Sequence, residues 1–127
     1  MRKLKRVVPA SQTDDVKREA RRLIGDDRFE QAYRVLRTSV RMARLDTEYL
    51  GLFAAVAMRT ARPQEAELVY ERLVALEPEQ ERWWTGLALA REQQGLAAAP
   101  LYDQALALAT RGSPIEQLIS ARIGASG

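Results

Sequence analysis

The 127-residue chain contains no histidine and no cysteine. Lack of cysteine excludes disulfides, thiolate metal sites and a thiol nucleophile, but it leaves the redox compartment open. Lack of histidine excludes imidazole catalysis and histidine metal sites. Glycine (7) and proline (5) are sparse, and neither a glycine-rich phosphate loop nor a nucleophile elbow occurs. The scattered serines and threonines have no base with which to be paired. The acidic pairs Asp14–Asp15 and Asp26–Asp27 fall at an expected helix start and an expected turn, where such residues are ordinary. The chain therefore reads as non-enzymatic, without cofactor or metal. No apolar run approaches the roughly 18 residues of a membrane span, and the basic opening MRKLKRVVPASQ lacks the apolar stretch of a signal peptide. As given, the chain is expected to be soluble.

What is present is a globular composition, 46% hydrophobic and 29% charged, in a length that suits one domain. The net charge of +3 is unevenly spread. Residues 1–44 carry 13 Lys or Arg against 6 Asp or Glu, and residues 45–127 carry 7 against 11.

Internal repetition organises the rest. Ala20, Ala54 and Ala88 are spaced 34 residues apart, each within a helical apolar pattern. In the middle copy Leu50, Phe53, Ala54 and Ala57 make one helical face, and Ala66, Tyr70, Leu73 and Leu76 make a second before Pro78. Pro63 suits the first position of that second helix, where its missing amide is harmless. The spacing thus predicts two antiparallel helices per copy.

This pattern resembles the tetratricopeptide-repeat family. Residues 47–80 match its signature best, through Leu50, Phe53, Ala54, Ala57, Ala66, Tyr70 and Pro78. The preceding copy matches through Val16, Ala20, Leu23, Ala32 and Leu36, with DDRFEQA as the inter-helix turn, and departs from it at Glu19 and Arg44. In the third copy Trp84, Leu87, Ala88 and Gly95 match. A turn shorter by two residues then places Ala98, Tyr102 and Ala105 correctly, with Pro100 in the first turn of its helix. The expected fold is all-α, a right-handed superhelix of three helix pairs plus a C-terminal capping helix. Its expected parts are a basic arm (1–12), repeats at 13–46, 47–80 and 81–110, and a capping helix and tail (111–127).

Ser11 or Thr13, followed by Asp14 and Asp15, is expected to start the first helix. Near the other end SPIEQLISARI (113–123) offers a capping box in Ser113 and Glu116, Pro114 at the first position, and Ile115, Leu118, Ile119 and Ile123 on one face. Such a helix covers the apolar edge that a repeat array must not leave open. Of the adjacent tryptophans, Trp84 holds the signature position and is expected in the core between paired helices. Trp83, about 100° away around the helix, is expected near Tyr70 and Leu73 or partly exposed.

The family resemblance implies binding in a groove lined by the first helix of each repeat. Counted from the signature positions, that lining is Lys17, Arg18, Arg21, Leu52, Ala55, Met58, Arg59, Arg82, Thr85, Leu89 and Glu92. A protein partner with aliphatic side chains in the middle and acidic residues facing Lys17 and Arg21, either an amphipathic helix or an extended segment, would fit. The bland alternative is that Leu52, Met58 and Leu89 only complete the packing, or are covered by the RVVPAS arm or by a second copy of the chain. The family's asparagine and lysine clamp for a carboxylate tail is absent. A second surface, Arg34, Arg37, Arg41 and Arg44 at helical spacing together with RKLKR, would suit nucleic acid or an anionic membrane. It has no interleaved aromatic, however, and a charge run is usually a solvated face.

Residues 47–123 also resemble the closing segment of bacterial biogenesis proteins of the mannose-sensitive haemagglutinin type IV pilus, through RWWTGLALAREQQG, LYDQALAL and SPIEQLISARI. That resemblance implies a periplasm-facing adaptor held at the inner membrane by an anchor or a partner. The alternative is a small cytoplasmic chaperone of a secretion substrate.

Overall fold

The structure, a computed structural model, describes residues 8–109 and 116–121, with side chains from Gln12 onward. Six helices follow in order: α1 (Val8–Gly25), α2 (Phe29–Arg37), α3 (Thr47–Arg59), α4 (Pro63–Leu76), α5 (Glu81–Gln93) and α6 (Ala99–Leu108). Residues 116–121 are also helical, and no strand occurs among the described residues. The chain divides between Arg62 and Pro63 into two compact units, a boundary inside the 47–80 copy.

In the first unit α1, α2 and α3 pack on one another. The small residues at the crossings, Ala20, Ala32, Ala54 and Ala57, are fully buried and let larger side chains, Leu36, Tyr49, Leu50 and Phe53, fill the space between. In the second unit α4 packs on α5 and α5 on α6. Its core holds Ala66, Tyr70, Leu73, Trp83 and Leu87, and a cluster of Ala88, Ala98, Tyr102, Ala105 and Ile119. Ile119 is fully buried, so the helical segment 116–121 does cover the α5–α6 side. Leu118, expected on the same apolar face, is instead exposed, and Ser113, Pro114, Ile115 and Ile123 lie outside the described residues. Pro100 sits in the first turn of α6, as the shorter turn requires.

The repeat is written in the backbone as well. Asp27, Ala61 and Gly95 all have positive φ (60°, 59° and 75°) and stand 34 residues apart. Each follows the end of a first helix, and the next amide reaches back five residues: Arg28 N to Leu23 O (2.8 Å), Arg62 N to Ala57 O (2.8 Å) and Leu96 N to Arg91 O (2.9 Å). With the companion bonds from Asp27 to Ile24, Ala61 to Met58 and Gly95 to Glu92, these are three copies of one left-handed C-terminal cap.

Two expectations are corrected. The first helix begins at Val8 rather than at Ser11 or Thr13, and its first turn holds no acidic residue. Asp14 and Asp15 face Lys17 and Arg18 one turn on (3.4 and 2.8 Å) instead of capping the helix. The arginine stripe does not run along one helix either. The second helix stops at Arg37, and Arg41 and Arg44 lie on successive turns, 38–45. Competition for backbone groups explains the stop. The Thr38 hydroxyl donates to Val35 O (2.7 Å), and the Leu36 carbonyl takes both the Ser39 amide and the buried Tyr49 hydroxyl. The acceptor that a continuing helix would offer Val40 is thereby already occupied.

Candidate functional site

In the first unit, α3 buries Tyr49, Leu50, Phe53, Ala54, Val56 and Ala57. Residues 52, 55 and 59 therefore fall on the opposite side of a 3.6-residue helix, with Met58 beside them. Leu52 and Met58 are half-buried, and Ala55 and Arg59 are exposed. Arg59 lies with its guanidinium 4.1 Å above the Phe29 ring, which holds it at the end of the stripe.

The basic end of the expected lining has a different environment. Lys17 is only 8% exposed and donates to Asp46 Oδ2 and Glu48 Oε1, both at 2.9 Å. Arg21 also donates to Glu48, and Arg18 to Asp15 (2.8 Å). Burial alone would lower the Lys17 ammonium, but the bonds from Glu48 and Asp46 outweigh it and hold the group above the usual lysine range. Burial likewise opposes ionisation of Asp46, yet the Lys17 ammonium and the Tyr49 amide keep its carboxyl below the usual range, and Lys17 does the same for Glu48. Asp46 also caps α3 by accepting the Tyr49 amide (3.1 Å). Lys17 is thus a tie between α1 and the start of α3 and not a free cation awaiting an acidic ligand. Sequence spacing did not single out Asp46 or Glu48, because they lie 29 and 31 residues away.

In the second unit, the α5 residues of the expected lining divide. Arg82 is exposed, its guanidinium 4.4 Å from the Trp83 ring centre. Thr85 is buried, its hydroxyl donating to Glu81 O (3.0 Å). Leu89 packs half-buried against the Tyr102–Ile119 cluster, and Glu92 is exposed and accepts from the Tyr102 hydroxyl (3.1 Å). Leu89 therefore follows the packing alternative.

Trp83 takes the first of its two expected places, against Tyr70, whereas Trp84 is less buried than its signature position implies. Trp83 is the buried ring, tilted against Tyr70 at 6.5 Å between centres, with its indole N–H donating to Glu77 (2.7 Å). Trp84 does pack against the cluster that α5 and α6 share, but it is only half-buried and donates to Pro78 O (2.8 Å). The physical reason is Gly86. Its missing side chain leaves the place that the Tyr70 ring fills, so α4 closes on the Trp83 side of α5.

An open cleft of about 340 Å³ also lies within this unit, lined by Glu71, Leu87, Arg91, Ala97, Pro100 and Leu101. Arg91 is fixed at its wall by Glu67 (2.8 Å) and Ala97 O (2.9 Å), and Gln94 bonds the other Glu67 oxygen (2.8 Å). No group of three acidic, histidine or cysteine residues able to hold a metal occurs among the described residues, and no helix among them is long and apolar enough to cross a membrane.

No protein-family profile and no curated protein sequence matches the chain. Solved structures do. The chain superposes on the Sgt2 TPR domain of Aspergillus fumigatus with a TM-score of 0.73 at 18% identity, covering 90% of this chain and 80% of that one. The fold is that of a tetratricopeptide-repeat domain. The same fold is shared with the Yersinia enterocolitica type III secretion chaperone SycD in complex with a peptide of the translocator YopD (TM-score 0.73, 16% identity, 88% and 86% covered). It is shared also with PcrH, known from Pseudomonas aeruginosa, in complex with the chaperone binding region of PopD (TM-score 0.75, 17% identity, 97% and 93% covered).

Proposed function

We propose that this chain is a non-catalytic binding module that holds a segment of a partner protein on the solvent side of α3, as a small chaperone of a secretion substrate would. The observation that carries this reading is the stripe of Leu52, Ala55 and Met58 on the side of α3 away from its buried residues, with Ala55 exposed and Leu52 and Met58 half-buried beside the exposed Arg59. In support, two of the similar structures hold a peptide or a chaperone binding region of another protein. A pilus-assembly adaptor would use the same face, but none of the similar structures named above is a pilus protein, so the chaperone reading stands first.

The ligand chemistry follows from the stripe. Aliphatic side chains lie over Leu52, Ala55 and Met58, and an acidic residue meets Arg59. The Lys17 end no longer calls for a second acid, because Asp46 and Glu48 already neutralise it.

The test is selection from a peptide array with the whole chain, at low and at high salt. Leu52→Glu with Met58→Glu should abolish capture at both salts while far-ultraviolet circular dichroism stays unchanged. The exposed substitution Ala55→Arg, which touches no core contact, should weaken the same peptides. Capture that survives Ala55→Arg and the double variant would place the partner elsewhere. Unfolding of the double variant together with full capture by Ala55→Arg would make the stripe a packing surface.

A further inference from the structure

Residues 31–45, QAYRVLRTSVRMARL, contain four arginines and no acidic residue. Where a continuing helix would spread these arginines along a solvated face, the chain instead leaves α2 at Arg37 and passes through consecutive turns. Amides of Met42 and Ala43 bond back to Ser39 (3.1 and 3.2 Å), and Ala43 is buried at the base. Ala43 anchors the segment, so its neighbours are turned outward. Met42 is 55% exposed and Leu45 66% exposed, while Arg34, Arg37, Arg41 and Arg44 are all exposed.

We infer that this arginine-rich turn, residues 37–45, is a docking surface for an anionic phospholipid bilayer. Charge of one sign selects an anionic partner, and each arginine near such a surface contributes roughly a fivefold factor to affinity. The two large apolar side chains decide among anionic partners. A phosphodiester backbone has no use for them, whereas the boundary between headgroups and acyl chains accepts them. Base stacking, the other way to hold a nucleic acid, has no free ring here. Tyr33, the one aromatic residue of the segment, is buried, stacked on Phe53 at 5.6 Å and covered by Arg62 at 3.8 Å. An acidic protein partner would also meet the charge, and failure to bind anionic vesicles would favour it. The segment is distinct from the Leu52–Met58 stripe, so the peptide-binding reading and this one can fail separately.

Co-sedimentation of the whole chain with vesicles tests the inference. The chain should bind phosphatidylcholine vesicles that contain phosphatidylserine and should leave pure phosphatidylcholine vesicles in solution. Arg37→Gln with Arg41→Gln should lower the affinity at least tenfold, and Met42→Ser with Leu45→Ser should lower it severalfold, with helicity and peptide capture unchanged in both. The RKLKR opening is left intact in every variant, so the losses report the turn alone. Absence of binding to the anionic vesicles, or binding indifferent to both double variants, overturns the inference. Loss with the arginine pair but none with Met42→Ser and Leu45→Ser also overturns it, since the surface would then be a simple polyanion site. Tighter binding of a duplex oligonucleotide with the same arginine dependence assigns the turn to nucleic acid instead.

Discussion

A buried lysine joins two helices in the first unit and a buried tryptophan joins two in the second, although each unit also holds the other kind of tie, Tyr33 on Phe53 in the first and Arg91 on Glu67 in the second. In the first, Lys17 joins α1 to Asp46 and Glu48 at the start of α3. Arg62 grips Glu30 with two guanidinium nitrogens (2.6 and 3.2 Å) while lying over Tyr33. In the second, Trp83 rests against Tyr70 at the close approach that Gly86 allows, and both indoles are anchored by hydrogen bonds. An ionic tie depends on pH and on keeping both partners, because a charge stripped of its partner in a partly buried site is costly. A ring tie depends on volume and shape. The Lys17 tie and the Trp83 tie should therefore fail under different perturbations, and both tryptophans of the chain lie in the second unit, so their emission reads that unit alone.

The largest effect is expected in the second unit. Trp83→Ala should cost about 3–5 kcal/mol in denaturant unfolding, the usual range for emptying a large buried ring site. Trp84→Ala, at a half-buried position, should cost about 2 kcal/mol. Equal losses would erase the distinction between the two rings. Next comes Gly86→Ala, whose added carbon would meet the Tyr70 ring. Overpacking of this kind should cost roughly 1–3 kcal/mol and shift the tryptophan emission, and an unchanged emission would mean that α4 and α5 can separate freely.

A smaller effect belongs to the charged tie. Lys17→Met should cost about 1–2 kcal/mol, less than a fully buried pair because Glu48 is more than half exposed. In carboxyl-detected NMR the Asp46 midpoint should lie below 3.8 in the native chain and rise toward it in Lys17→Met. Because the native Asp46 and Glu48 values are depressed, their contribution is present above the ordinary carboxyl range and lost as pH falls through the native values. The Lys17 value is raised, so its contribution is complete below the ordinary 10.5 and lost only far above it. An Asp46 midpoint unmoved by Lys17→Met would show the tie to be idle.

The smallest effect compares the repeated caps. Ala61 holds a left-handed conformation that Gly95 adopts without a side-chain penalty. Ala61→Gly should stabilise by up to about 1 kcal/mol, and Gly95→Ala should destabilise by about 1 kcal/mol. Changes of the same sign at both positions would contradict the equivalence of the caps.

Much of this was legible in residue spacing. The alanines at 20, 54 and 88 are all fully buried, and Pro63 and Pro100 stand where helices begin. These features are local, and a helical period exposes them. The Trp83 contact with Tyr70 was one of two places the helical period allowed, but that Trp83 is more buried than Trp84 was not legible, because it depends on the room that Gly86 gives to a ring sixteen positions earlier, at Tyr70. Nor was the neutralised Lys17, whose partners belong to another helix start. The arginine spacing misled for a related reason. Thr38 and Tyr49 take the backbone groups that a longer α2 would have used. For the candidate face, the helical period puts Leu52, Ala55 and Arg59 on one side of α3 with Met58 beside them, whereas Thr85 is buried and Leu89 packs within the second unit.

If α3 carries the partner, amide chemical-shift mapping of the whole chain, titrated with an array-selected peptide, will locate it residue by residue. The largest shifts should fall on Leu52, Ala55, Met58 and Arg59, and the Leu52→Glu, Met58→Glu variant should abolish them. Shifts centred on the Glu71–Leu101 cleft or on Arg37–Leu45, with α3 unmoved, would contradict the assignment to α3.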